Sequence, residues 1–273
     1  MNTHALLRNR SPSAKVLLEG AQGILLSVLH GTYPYVTSSD CSLDGLAAGA
    51  DIYVGMIDHT YVVVKAPYMT RVGRGPFPTE LGGTESDCWC NGGATEAMEL
   101  ERFPNADINS TESLEQGVAM RRAGGEYGAT TKRPRCTGWL DLLMLRHVLT
   151  CGGGLNPART SIVLTKPDVL NDVDELKLCI AYCYRGSDYC VAGRMVSNGD
   201  VLDAAIMDAD VLARVVPIYA IMPGWKRSLD GVTSPAELPD NLRAYITRIE
   251  DEVGFRVDVV SVGPDRTEMV FME

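Results

Sequence analysis

No stretch of this 273-residue chain approaches the roughly 20 consecutive apolar residues that a membrane-spanning helix needs. Its opening, MNTHALLRNRSPSAK, also lacks the apolar centre of a secretory signal, so a cytosolic location is expected. Paired CxxC knuckles are missing. The eight cysteines include a CxC at Cys88 and Cys90 and a wider pair at Cys179 and Cys183, with no matching histidine cluster, so no metal site is expected. Cys179 and Cys183 fall in LKLCIAYCY, a strand-like run where buried free thiols are common, while Cys88 and Cys90 lie in a Gly-rich, loop-like stretch. GxxxxGK[ST] occurs nowhere, which excludes a phosphate-cradling P-loop within these residues. GRG at 73–75 and GGG at 152–154 are too short to replace it and read as a turn and a helix stop. Positive charge is in short supply, with 25 Lys and Arg against 35 Asp and Glu and a net charge of −10. General affinity for polyanionic nucleic acid or membrane surfaces is therefore not expected, and any anion has to be held at a focused site.

What is present suits an α/β protein. With 45% hydrophobic residues the chain can bury a substantial core. Short β-rich runs alternate with helical patterns, which predicts a mainly parallel sheet flanked by helices. Strands are expected at KVLLEG (15–20), TYVVVKA (60–66), SIVLTK (161–166) and LKLCIAYCY (176–184), the last two as neighbours, with a final strand in RVDVVSVG (256–263). Helices are expected over 43–57, over the LDLLMLRHVLT run with Thr137 as its N-cap, and where Leu242, Tyr245, Ile246, Ile249 and Val253 fall on one face before Gly254. Residues 81–127, rich in Gly, Glu and Asn, read as a mobile excursion. Without a repeat or a clear linker, 1–273 is taken as one domain.

Two short stretches carry candidate chemistry. SIVLTKPD ends a buried strand on Thr-Lys-x-Asp, like the guanine-reading element of GTP-binding proteins. There one carboxylate, Asp168, accepts from both N1–H and the 2-amino group of guanine, a pair of donors that adenine lacks. The Lys166 stem can lie over the base. The same four residues also fit a surface strand end with a solvated Lys and Asp. The second stretch, GATTKRPRCTGWLD (128–141), concentrates Lys132, Arg133 and Arg135 around Pro134. Two guanidinium forks in a stiffened loop suit a carboxylate or phosphate, and Thr130 and Thr131 add hydroxyls; a solvated basic loop is the alternative.

The segment EGAQGILLSVLHGTYPYVTSSD (19–40) is more distinctive than either. With TRVGRGPFPTEL (70–81), GEYGATTKRPRCTGWLD (125–141), LTKPDVL (164–170), PIYAIMPGW (217–225), the LPDNLRAYITRIEDEVG helix and SVGPDR (261–266), it resembles the adenylosuccinate synthetase family, block by block and in the family's order. The resemblance implies a P-loop-NTPase-like fold, incomplete here, and a GTP-dependent ligase that joins IMP and L-aspartate into adenylosuccinate on the way to AMP. Mg²⁺ would accompany GTP, and the complete enzyme would be a homodimer.

Carried over by position, Gln22 and Thr37 would contact IMP, with Gln22 supporting catalysis and Arg133 reaching the nucleotide ribose. Val72, Ala129, Thr130, Thr131, Lys132, Arg133 and Arg135 would shape the aspartate pocket. Arg135 would also face the GTP phosphates, and Lys166 and Asp168, with Ser261, Val262 and Gly263, would read guanine. The family's N-terminal portion, with its glycine-rich phosphate loop and its catalytic Asp and His, has no counterpart among these residues. The isolated chain is therefore expected to be inactive, with no metal ligand of its own. Lys132 stands where a glycine is usual, Cys136 where an arginine is common and Asp40 where asparagine is frequent. Two alternatives are a phage-type relative acting on dGMP and a non-catalytic nucleotide-binding fragment.

Overall fold

The structure is a computed structural model and describes residues 5, 7, 9, 11, 13–151 and 155–272. His4 and the glycines at 152–154, expected as a helix stop, lie outside the described residues. The central sheet has the order β1 (Thr60–Lys65), β4 (Thr160–Thr165), β10 (Val257–Ser261), β11 (Met269–Phe271). The first three strands run parallel, and β11 returns antiparallel along β10. The expected α/β class and parallel sheet are thus present. On β4 the buried Ile162 and Leu164 share one face while buried Ser161 and half-buried Val163 lie on the other, which suits a parallel strand covered on both sides.

Helix α7 (Asp240–Val253) packs Leu242, Tyr245, Ile246 and Ile249 into this core, as their 3.6-residue spacing predicts. It stops at Gly254, whose φ of 73° is a left-handed C-terminal cap. A separate antiparallel sheet, β8 (Val201–Leu202), β5 (Glu175–Tyr184), β9 (Val215–Pro223), holds the LKLCIAYCY strand. That strand is therefore not the neighbour of 161–166. Its full-length antiparallel pairing with β9 captures its hydrogen bonds, and only an isolated bridge joins Cys179 to Asp141.

Other expectations are corrected. KVLLEG forms no strand: its residues join no ladder, and Leu17 is 84% exposed. The helix expected over 43–57 is shorter, α1 (Leu43–Gly49), followed by a 3₁₀ turn at Val54–Met56. Residues 81–127 carry three helices, α2 (Gly83–Asn91), α3 (Glu96–Arg102) and α4 (Ser113–Ala123). Their interior is an ion pair between Glu99 and Arg121, both fully buried, with Trp89 Nε1 donating to Glu99 at 3.0 Å. A composition of Gly, Glu and Asn conceals this because the core of the segment is polar. Cys88 and Cys90 accordingly sit on helix α2 rather than in a loop.

Thr137 is no helix cap. It lies in β3 (Cys136–Trp139), which pairs with β2 (Tyr68–Arg71), and its hydroxyl donates to the Gly117 carbonyl at 2.8 Å. Gly138 permits this strand, since a Cβ there would stand 2.4 Å from the Thr79 carbonyl oxygen. The cap of α5 (Leu142–Thr150) is Asp141, whose Oδ1 accepts from the Leu143 and Met144 amides while Oδ2 accepts from the Tyr182 hydroxyl at 2.5 Å.

Burial lifts the Asp141 carboxyl to about 6 despite these hydrogen bonds. Asp141→Ala is expected to lower stability by about 2 kcal/mol, from a lost cap and a stranded Tyr182 hydroxyl. A carboxyl whose pKa rises on folding contributes most below its unfolded value and loses that contribution as pH climbs through 6. The penalty measured by urea unfolding should thus be about 1 kcal/mol larger at pH 5 than at pH 7. An equal or smaller penalty at pH 5 would contradict this assignment.

Candidate functional site at the carboxyl edge of the parallel sheet

Parallel strands β1, β4 and β10 end side by side, with Lys65 opposite Thr165 and Val260 opposite Leu164. The residues just beyond these ends, where α/β sheets bind ligands, include Lys166, Asp168, Ser261, Val262 and Gly263. Lys166 takes a left-handed conformation, φ 70°, and opens a 3₁₀ turn at Pro167–Leu170 that carries Asp168. Its ammonium donates to the Gly124 carbonyl at 2.7 Å. Asp168 is half-buried, and no hydrogen bond from another described residue reaches its carboxylate. Burial pushes this carboxyl above the ordinary aspartate value; Lys166 opposes that, while Glu268 and Asp230 add to it. A carboxylate in such a place is short of donors. In the facing turn Ser261 Oγ donates to the Gly263 carbonyl at 2.9 Å, and Val262 is buried.

The basic stretch is a hairpin. Gly128 and Arg133 close it through N–H to O=C at 2.9 Å, Tyr127 bridges Pro134, and the Arg135 amide donates to the Glu126 carbonyl. Its tip, with Ala129, Thr130, Thr131, Lys132 and Arg133, is exposed. Lys132 has φ 53°, a left-handed conformation that favours glycine. Helix α3 ties the tip down, because the Glu96 amide donates to the Lys132 carbonyl. Arg133 reaches back to the Cys90 carbonyl and Asn91 Oδ1 only at 3.4 and 3.5 Å, so its guanidinium is weakly engaged.

Glu126 joins the two halves of the site, and sequence reasoning passed over it although it stands within a family-like block. Its buried carboxylate accepts from Lys65 at 2.8 Å through both oxygens, from Arg135 Nη1 at 2.8 Å and from the Tyr68 hydroxyl at 2.9 Å. Burial raises the Glu126 pKa, but the hydrogen bond and charge of Lys65, with Tyr68 and Lys166, outweigh it and hold the group below the ordinary glutamate value. Burial pulls Lys65 below the usual lysine value even with Glu126 against it, and Arg135 and Lys166 add to the effect. Three cations thus crowd one carboxylate. The buried Nε of Arg135 has no hydrogen-bond partner among the described residues.

Beneath the hairpin, Glu99 and Arg121 act as a footing. Tyr127 donates to Glu99 Oε1 at 2.7 Å, and Arg121 Nε donates to the Arg135 carbonyl at 2.6 Å. The ordered helices between 81 and 127 therefore support the loop.

Gln22 and Thr37 stand apart from this cluster. Gln22, at φ 60°, lines a cleft of about 530 Å³ with Asp40 and Cys41, and the Thr37 amide donates to the Leu26 carbonyl. Among the described residues no hydrogen bond or ion pair joins either to the hairpin. The surrounding turn is held near Val72 by Arg71, unmarked in the sequence, whose Nη2 donates to Thr32 Oγ1, the Tyr35 carbonyl and the Arg74 carbonyl. Val72 itself is 64% exposed. Asp40 is tied by Ser27 and Ser42; burial raises its pKa, but hydrogen bonds from Ser42 and Ser27 bring it below the ordinary value. Gln22, Lys132 and Lys166 are all non-glycine residues at positive φ, a strain that tends to persist at functional sites. No three His, Cys, Asp or Glu among the described residues are grouped to hold a metal ion.

A family model described as adenylosuccinate synthetase matches residues 1–270. Adenylosuccinate synthetase of Thermodesulfovibrio yellowstonii is 37% identical over 259 residues, covering 95% of this chain and 49% of the relative. That of Burkholderia mallei is 37% identical over 257 residues, 94% of this chain and 48% of the relative. The solved structure of fully ligated adenylosuccinate synthetase from Plasmodium falciparum superposes with a TM-score of 0.77 at 30% identity, covering 100% of this chain and 54% of that one. The chain spans about half the length of the curated relatives it matches. By the family model and the relatives it matches, the chain belongs to the adenylosuccinate synthetase family.

Proposed function

We propose that this chain supplies the guanine- and aspartate-binding part of an enzyme that uses GTP to join IMP and L-aspartate into adenylosuccinate. The observation that carries the reading is the placement of a donor-starved carboxylate, Asp168, beside Lys166 at the same sheet edge as Arg135. Asp168 accepts from guanine N1–H and the 2-amino group, and the turn at 261–263 closes the other side of the base. Arg135, with Nη1 spent on Glu126 and 34% of its side chain exposed, turns the rest of its guanidinium to a phosphate or carboxylate. Arg133, exposed and weakly held, turns its fork to the carboxylates of aspartate, flanked by Val72 and by Ala129, Thr130, Thr131 and Lys132. Gln22 and Thr37 serve IMP from the neighbouring loop.

The same reading places this ligase in purine nucleotide synthesis as a cytoplasmic homodimer. In its support, no helix among the described residues is long and apolar enough to cross a membrane. Mg²⁺ would arrive with GTP, whose phosphates supply part of its coordination; among the described residues no three His, Cys, Asp or Glu are grouped to hold a metal ion.

The test uses a fused enzyme, in which the part of the T. yellowstonii synthetase that does not align with this chain is joined to it. Arg133→Lys keeps the charge but loses the planar fork. Its aspartate KM is expected to rise at least about tenfold, near 1.4 kcal/mol, with a smaller change for GTP. An unchanged aspartate KM would reduce the loop to a solvated basic turn.

A further inference from the structure

Beneath the basic hairpin lie two buried thiols that the site does not use. Cys90, on α2, is 3% exposed, and Cys136, the first residue of β3, is 2% exposed. Helix α2 packs against β3, and the two thiols stand in hydrogen-bonding contact with each other. Both are free cysteines. Each also adjoins the arginines of the hairpin. Cys136 directly follows Arg135, and the Cys90 carbonyl accepts from Arg133 Nη2 at 3.4 Å.

The surroundings are not those of an inert core cysteine. Ser86 Oγ lies 3.9 Å from Cys90 Sγ, and the Glu80 carboxylate is within hydrogen-bonding reach of Cys136. Arg121 is fully buried, its Nη2 has no hydrogen-bond partner among the described residues, and its charge acts on Cys90. The contact with Cys136 lowers the Cys90 pKa, and Arg121 and Ser86 add to this against burial and Glu80. The same contact, with burial and Glu80, raises the pKa of Cys136. One sulfur is biased toward thiolate while its neighbour keeps its proton, which is the division between an attacking and a resolving thiol.

We propose that Cys90 and Cys136 are an oxidative modification site, a dithiol that hydrogen peroxide converts to a disulfide fastening α2 to β3 under the arginine hairpin. Burial of both sulfurs shuts out bulky disulfide oxidants and selects one little larger than water. The Cys90 sulfur attacks one peroxide oxygen: an S–O bond forms, the O–O bond breaks, and the departing hydroxide takes the thiol proton as water. The Cys136 sulfur then attacks the sulfenic acid at Cys90. The S–S bond forms, the S–O bond breaks, and the Cys136 proton leaves with the hydroxide as a second water. Two thiols are oxidised and one peroxide is reduced.

The experiment treats the native 273-residue chain with hydrogen peroxide, blocks the remaining thiols and maps the peptides by mass spectrometry. A Cys90–Cys136 link is expected, forming at least about tenfold faster than the exposed Cys88 and Cys190 oxidise. In Cys136→Ser, Cys90 should stop as a sulfenic acid that dimedone captures, and in Cys90→Ser, Cys136 should stay reduced. The peptide map of the parent chain decides the matter even where a variant does not fold. Trypsin cleavage between Lys132 and Arg133 should slow at least about threefold in the oxidised parent and recover with dithiothreitol. Cys90 and Cys136 left reduced while Cys88 and Cys190 oxidise would overturn the proposal, as would a disulfide joining Cys90 to Cys88. A link that leaves hairpin cleavage unchanged would overturn its reach to the arginines. No readout depends on GTP, IMP or aspartate, so the proposed function can fail without touching this result.

Discussion

Glu126→Ala is expected to lower stability by about 2–4 kcal/mol and to release the basic hairpin. Removing one partner of a buried ion pair strands the other charge, which costs about 3–5 kcal/mol when burial is complete. Here the Glu126 side chain is 2% exposed, but Lys65 and Arg135 keep 28% and 34% of their side-chain surface, and solvent offsets part of the cost. Lys65 would be left beside Arg135 and Lys166 with no carboxylate between them, and the Tyr68 hydroxyl would lose its acceptor.

The effect also depends on pH. A carboxyl held below its ordinary value by folding contributes fully above the unfolded pKa and loses that contribution as pH falls through the folded value. The gap between the parent chain and Glu126→Ala should therefore be flat from pH 7 to about 5 and close below about pH 4. Urea unfolding at several pH values reads this directly. A gap below about 0.5 kcal/mol at pH 7 would mean that Glu126 does not organise the site.

How far the sequence foretold this arrangement varies with the kind of signal. The face of α7 and the parallel strands β1 and β4 are regular hydrophobic patterns, and they appear where the pattern puts them. LKLCIAYCY reads as a strand equally well, yet nothing in a run of apolar residues specifies its partner, and it pairs with β9 in another sheet. The helices between 81 and 127 escaped notice because their shared interior is Glu99, Arg121 and Trp89, which composition counts as surface. KVLLEG misled for the opposite reason: it is apolar enough for a strand, but it joins no ladder and leaves Leu17 exposed.

Within the site, Lys166, Asp168, Arg133 and Arg135 were legible as chemistry. The hub that joins Arg135 to the end of β1 was not, since Glu126 contacts Lys65 from 61 positions away. The left-handed backbone at Gln22, Lys132 and Lys166 was equally silent, because no side chain announces it.

Under the proposed function Asp168 reads the Watson–Crick edge of guanine. Inosine triphosphate differs from GTP only in lacking the 2-amino group, so it removes one of the two donors that the carboxylate is held to accept. In the fused enzyme, Asp168→Asn exchanges an acceptor-only group for an amide with one acceptor and an unwanted donor. GTP affinity should fall by about 2–4 kcal/mol, the cost of charge-assisted hydrogen bonds lost at a buried site. The most direct measurement is the ratio of GTP to ITP affinity in the parent fused enzyme and in Asp168→Asn. A preference for GTP of at least about tenfold, worth about 1.4 kcal/mol, is expected in the parent and should largely vanish in the variant. Equal affinity of the parent for both nucleotides, or a preference that survives the substitution intact, would contradict it.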